Sequence, residues 1–146
     1  MTGQPVTIRV SEAPPLQVLA CGLRGAVRDW VTGVAWWHTV VVDQIRALTA
    51  AEGLEAAVAV VHTEEWPSEL VRWVDALRAV QVTAPIVVTA HKPSARFMRT
   101  ALGLHVWTVV PDERLDLLAV AIERAAQKSS QEAGQRRTIW EVRLGP

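Results

Sequence analysis

Apolar positions along this chain follow two rhythms: short, nearly continuous runs, and longer stretches where they recur every third or fourth residue. Val6-Thr7-Ile8-Arg9-Val10 alternates and is rich in β-branched residues, which predicts a strand, and Ser11-Glu12-Ala13-Pro14-Pro15 ends it as a loop. From Leu16 the apolar residues Leu19, Leu23, Ala26 or Val27, and Trp30 fall at helical spacing, with Pro15 at the tolerated first turn. After Gly33, Val34–His38 predicts a second strand, and Val41, Ile45 and Leu48 a short helix ending at Gly53. Ala57–Val61 is apolar throughout, as a strand covered on both faces should be, and His62-Thr63-Glu64-Glu65 follows as a polar turn. Leu70, Trp73, Val74, Leu77 and Val80 trace the next helix, and Pro85–Thr89 the fourth strand. Beyond the loop His91–Ser94, Phe97, Met98, Ala101 and Leu102 predict a short helix with Gly103 as its cap. Val106–Val110 reads as the fifth strand, and Leu115, Leu118, Ala119, Ile122 and Ala126 as the last helix.

Five strand–helix units in succession predict an α/β domain over residues 1–127: a doubly wound, five-stranded parallel sheet between two helical layers. Sites in such sheets lie beyond the carboxyl ends of the strands, here Ser11-Glu12, His62-Thr63, Thr89-Ala90 and Val110-Pro111. Residues 128–146 read differently. The polar stretch Gln127–Gln135 predicts a linker, and Arg136–Leu144 alternates with Trp140, Val142 and Leu144 on one side. Such a tail is suited to adding a strand to a sheet edge, in its own chain or a neighbouring one.

Composition narrows the function. Among 146 residues, fifteen basic side chains balance fifteen acidic ones, so there is no electrostatic footprint for nucleic acid or an anionic membrane. Thirteen of the basic residues are arginines, scattered over predicted helix faces, and Arg136-Arg137 is too short for a nucleic-acid arm. Cys21 is the single cysteine, the amino terminus has no leader pattern, and no apolar run approaches the ~20 residues of a membrane span. A soluble cytoplasmic domain is expected, and a neutral chain favours a protein partner or a second copy of itself. His38, His62, His91 and His105 offer no short metal-ligand spacing, so no metal is expected. The loop Ser11–Pro15 carries prolines and a carboxylate where a flavin or dinucleotide would need backbone amides, so no cofactor is expected either. Of seven tryptophans, Trp30, Trp36 or Trp37, and Trp73 occupy core positions; Trp66, Trp107 and Trp140 fall outside them, where tryptophan often anchors an interface.

Val10–Pro14, Pro85–His91 and Val109–Pro111 resemble, in order and spacing, the loop after the first strand, the fourth strand and the end of the fifth strand of response-regulator receiver (CheY-like) domains. The resemblance runs from about Val6 to Gln127 and implies a flavodoxin-like fold. It places Ser11 and Glu12 at the family's acidic pair and His62 at its phosphoacceptor aspartate. Thr89 takes the place of its signalling hydroxyl, and Val110 that of its lysine. Phosphoryl transfer to a carboxylate needs the nucleophile, a divalent cation and a positive group beside the transferring oxygens. With the aspartate and lysine replaced, the chain is read as a pseudo-receiver and not an enzyme. Thr89 is then expected to cap the strand end and bond a loop amide.

The leading reading is therefore a non-catalytic signalling or assembly module that works through protein–protein contact, independent of phosphorylation. The resemblance puts its docking surface on the fourth predicted helix, fifth strand and fifth predicted helix, with Arg96, Arg99, Trp107, Glu113 and Arg114, and a second contact at Trp140. Two alternatives stay open. One is a receiver phosphorylated at a non-standard residue such as Glu12, His62 or Glu64, and the other a small-molecule binder on the same scaffold.

Overall fold

A computed structural model describes residues 16–34, 37–48, 56–64 and 66–144, with side chains up to Ser129. Five strands, β1 (Leu16–Cys21), β2 (Trp37–Val42), β3 (Val58–Thr63), β4 (Ile86–Ala90) and β5 (Thr108–Pro111), form one sheet in the order β2-β1-β3-β4-β5. All four pairings are parallel. Four helices, α1 (Gly25–Gly33), α2 (Pro67–Ala79), α3 (Ala95–Gly103) and α4 (Leu115–Leu144), flank the sheet, and a single 3₁₀ turn covers Ile45–Ala47. The α/β class, the parallel sheet and the three layers are those predicted.

The apolar runs of β3 and β4 are buried at nearly every position because both sheet faces are covered. On one face Leu19, Val61 and Val88 pack with Leu70, Trp73, Leu77 of α2 and Phe97, Ala101 of α3. On the other, Val18, Val60 and Val87 pack with Val27, Val31 of α1 and Leu118, Ile122, Ala125 of α4. Pro67 stands at the first turn of α2 and Glu69 complements its amino end. The Ser94 hydroxyl caps α3 by accepting the Phe97 N–H at 3.1 Å.

Several elements differ from those expected. Leu16–Cys21, expected to open a helix, is β1, the strand between β2 and β3; the segments Val6–Val10 and Ser11–Pro15 lie outside the described residues. The second strand runs Trp37–Val42 instead of Val34–His38, so Val41 is strand and only the 3₁₀ turn remains of the expected helix before residue 49. Trp37 is buried, its Nε1–H donating to Val31 O at 2.9 Å, while Trp36 is not described. β3 extends through His62 and Thr63, so these are strand residues and not a turn. Gly103 is the last residue of α3 and not a left-handed cap; that conformation falls on His105 (φ 59°). α4 continues to Leu144, and the backbone expected to be a linker and a β-like tail is helical. Its residues are mostly good helix formers, and no proline interrupts it.

Burial pushes the Cys21 thiol up to about 12. Its folded value lies above its unfolded one, so the contribution to stability is complete below about pH 9. It is lost as the pH rises further, at roughly 1.4 kcal/mol per pH unit. Urea unfolding of the parent and of Cys21→Ala between pH 8 and 11 should show a steeper alkaline loss of stability in the parent; equal slopes contradict the assignment.

Candidate functional site

The carboxyl edge of the sheet is organised by the turn that follows β1. Gly22 is left-handed (φ 68°), and its N–H donates to Val42 O at 2.9 Å. A Cβ at Gly22 would lie 3.2 Å from both His62 O and the Trp73 ring, so only glycine fits the turn without strain or displacement. The turn aims the Arg24 backbone N–H at His62 Nδ1, 3.2 Å away, and the Arg24 guanidinium meets Glu64 at 3.3 Å.

An imidazole nitrogen that accepts a backbone N–H must hold a lone pair, so the proton of His62 is on Nε2. That Nε2–H points to Asp112 Oδ2 at 3.4 Å, while His91 Nδ1 stands 3.3 Å from Asp112 Oδ1. One carboxylate therefore receives two imidazoles from two different strand ends. Asp112 is held there because its own N–H continues the β4–β5 ladder, donating to Ala90 O at 3.0 Å. These groups line a cavity of about 400 Å³, with Thr63 in its wall and Trp66, 65% exposed, at its rim. Thr63 and Thr89 are buried, and neither hydroxyl finds a hydrogen-bond partner among the described residues.

Of the residues expected at a degenerate phosphorylation pocket, Ser11 and Glu12 lie outside the described residues, as does Glu65. The position after β1 is taken instead by Gly22, Leu23 and Arg24. His62 lies at the site, half-buried and in register with Thr89. Thr89 does not bond a loop amide as expected: the β3–β4 pairing encloses its hydroxyl without a partner. Val110 is buried among the apolar side chains between the sheet, α1 and α4. Arg24, His91 and Asp112 were not singled out by sequence reasoning as members of one site. Arg24 was hidden by the helix assigned to its segment, whereas Asp112 carried a usable signal: an acidic residue directly after a strand-ending proline.

None of the described side chains expected at a docking surface lines the cavity. Arg96, Arg99, Glu113 and Arg114 are exposed, and Trp107 is 38% exposed just before β5. Lys128 Nζ sits 4.9 Å from the centre of the Trp107 ring. Arg114 grips Asp116 with two N–H groups at 2.9 and 3.0 Å. That pair raises the Arg114 pKa and lowers that of Asp116. Trp140 falls in the helical part of α4 whose side chains are not described. A larger, more open cleft of about 850 Å³ lies at the opposite edge beside Trp107 and His105, where the Arg78 guanidinium is engaged by the Leu104 carbonyl. Among the described residues no three His, Cys, Asp or Glu side chains are placed to hold a metal ion, and no helix is long and apolar enough to cross a membrane.

No family model matches the chain, and no curated protein matches it. Among solved structures it is similar to the response regulator StyR, at 16% identity and a TM-score of 0.68, over 90% of this chain and 69% of that one. It is also similar to the pilus assembly protein CpaE from Caulobacter crescentus, at 16% identity and a TM-score of 0.54, over 75% of this chain and 92% of that one. A CheY-like response regulator protein from Mesorhizobium loti aligns at 15% identity and a TM-score of 0.51, over 73% of this chain and 98% of that one. The chain has the fold of CheY-like receiver domains.

Two substitutions test this geometry. Gly22→Ala should lower stability by about 2 kcal/mol, since it adds a side chain to a left-handed residue already in contact with Trp73. Thr89→Val replaces a buried hydroxyl without a partner by a methyl of the same shape and should raise stability by about 1 kcal/mol. Urea midpoints measure both, and a Thr89→Val protein less stable than its parent contradicts the orphaned hydroxyl.

Proposed function

We propose that this chain is a non-catalytic pseudo-receiver that acts as a signalling or assembly module through protein–protein contact. The observation that carries the reading is where its large apolar side chains are exposed. β5 is an edge strand, flanked by α3 on one face of the sheet and by α4 on the other. Met98 and Leu102 of α3, Trp107 beside β5, and Leu117 and Val120 of α4 are all exposed, and Trp66 is the one other large apolar residue so placed among those described. Exposed apolar groups gathered on adjoining elements and rimmed by charge are the usual mark of a protein interface. Arg96 and Arg99 on α3, and Glu113 and Arg114 before α4, supply that charged rim.

Independence from phosphorylation is supported by the chemistry of the carboxyl edge. His62 offers Nε2–H and not a lone pair to the cavity, and the end of β5 carries a buried valine where a lysine would offset phosphoryl charge. The exposed Glu64 is already paired with Arg24. A cytoplasmic setting belongs to the same reading. CpaE, a pilus assembly protein, and StyR, a response regulator, share this fold, and docking to other proteins suits either setting. Trp140, carried by a helix that runs about 27 Å beyond Ala126, offers a second contact, to a partner or to another copy of the chain.

Affinity capture from native lysate, read by mass spectrometry, tests the docking face. A partner held by the parent and by His62→Ala should be lost with Trp107→Ala, and Arg99→Glu should weaken it at least tenfold. Loss of binding with His62→Ala alone would move the interface to the carboxyl edge. Incubation with acetyl phosphate or phosphoramidate should leave the protein's mass unchanged; a phosphoryl adduct removed by changing His62 or Glu64 would replace this reading with that of an atypical receiver.

A further inference from the structure

We propose that the cavity at the carboxyl edge is a recognition site for an organic cation, an alkylguanidinium or alkylammonium group. The inference stands apart from the docking face, because none of its residues lies on α3 or α4.

Charge selects the sign of the ligand. Among the described residues, the cavity holds two carboxylates, Asp112 and Glu64, against the single guanidinium of Arg24. Arg24 and Glu64 face each other at 3.3 Å in a pair that is mostly solvent-exposed, which leaves Asp112 as the inner charge. The Asp112 side chain is 20% exposed, and two imidazoles contact it where a cation would offset its charge better. The His62 ring does not do so, since its Nδ1 accepts the Arg24 N–H and the ring stays neutral in that arrangement. An anion entering the cavity would meet both carboxylates, and the one guanidinium available is already paired.

Two further groups favour an organic cation. Trp66, at the rim, offers an exposed aromatic face, which attracts guanidinium and ammonium groups. Thr63, only 2% exposed, stands in the wall with a hydroxyl that finds no partner among the described residues. A transition metal fits less well, because the lone pair of His62 is turned away from the cavity toward Arg24. Trp66 also borders a second cleft, where Asp43 and Glu69 stand beside Arg46 and Arg72, so the remainder of a longer ligand can extend over the Trp66 ring.

The test is a ¹H–¹⁵N NMR titration of the full chain with methylguanidinium, n-butylammonium, sodium phosphate and MgCl₂ at matched ionic strength. The expected result is saturable movement of the Trp66 indole N–H and the Arg24 amide with the two organic cations only. Asp112→Asn should weaken that binding at least tenfold. Trp66→Ala, whose side chain is exposed and leaves the core intact, should weaken it at least threefold even where Asp112→Asn disturbs folding. A Gly-Ser-Arg-Ser-Gly peptide that binds tenfold more tightly than methylguanidinium assigns the cation to a protein partner, and equal affinity assigns it to a free small molecule. Shifts that stay linear with concentration overturn the proposal. So does saturation by phosphate or Mg²⁺ in place of the organic cations, or a Trp66→Ala protein that titrates like its parent.

Discussion

A single backbone amide, the N–H of Arg24, sets the chemistry of the whole carboxyl edge. It reaches His62 Nδ1 because Gly22 turns left-handed directly after β1, in a space closed by Trp73 and His62 O. With Nδ1 an acceptor, Nε2 must be a donor, and its proton is directed at Asp112. Asp112 is then fixed between two strand ends and holds His91 on its other oxygen. The Arg24–His62 contact follows from one glycine conformation, and the β4–β5 ladder places Asp112 to meet it. The same bond turns the lone pair of His62 toward Arg24 and away from the cavity.

Much of the fold was legible in the sequence, because parallel strands covered on both faces must be apolar at successive positions. Ala57–Val61 and Pro85–Thr89 could hardly be anything else. The same property caused the main misreading. Leu16–Cys21 is also apolar nearly throughout, so a helical subset (Leu19, Leu23, Val27, Trp30) can be traced through it by chance, and periodicity alone does not distinguish a buried strand from a buried helix. The glycines at 22 and 25 were the usable warning, since two glycines within four residues weaken a helix and suit a turn. In the tail, alternation of Trp140, Val142 and Leu144 suggested a strand, while the run of Gln, Glu, Ala, Lys and Arg carried helix propensity that continued α4. The site itself was half legible. His62 was found from its place at a strand end, but its partners Arg24, His91 and Asp112 are 38, 29 and 50 residues away in sequence, and only the sheet order brings them together.

Polar and apolar surface are divided between two regions of the molecule. The carboxyl edge is largely polar, built from strand-end side chains and one turn, with Trp66 exposed at its rim. The β5 edge exposes apolar groups from two helices and guards its strand by brevity, four residues ending in a proline that cannot donate to a further strand. A short, proline-terminated edge discourages strand addition and leaves the side chains of α3 and α4 as the surface this side presents.

These two regions are joined by the shortest covalent path available. Trp107 precedes β5 and Asp112 follows it, so the anchor of the proposed docking face and the inner carboxylate of the cavity are separated by one four-residue strand. The ladder to β4 holds both ends, through Trp107 N–H to Ile86 O at 2.7 Å and Asp112 N–H to Ala90 O at 3.0 Å. Directly after Asp112, Arg114 N–H bonds Pro111 O and starts α4, the helix that carries Leu117, Val120 and Lys128. A ligand that displaces Asp112 must therefore strain either the β4–β5 ladder or the first turn of α4. Linkage makes such an effect reciprocal: a partner that fixes α4 and Trp107 would hold Asp112 in place, and would strengthen or weaken cavity binding by the same factor that the cavity's ligand changes docking. A physical route between the cavity and the β5 edge thus runs through one short strand.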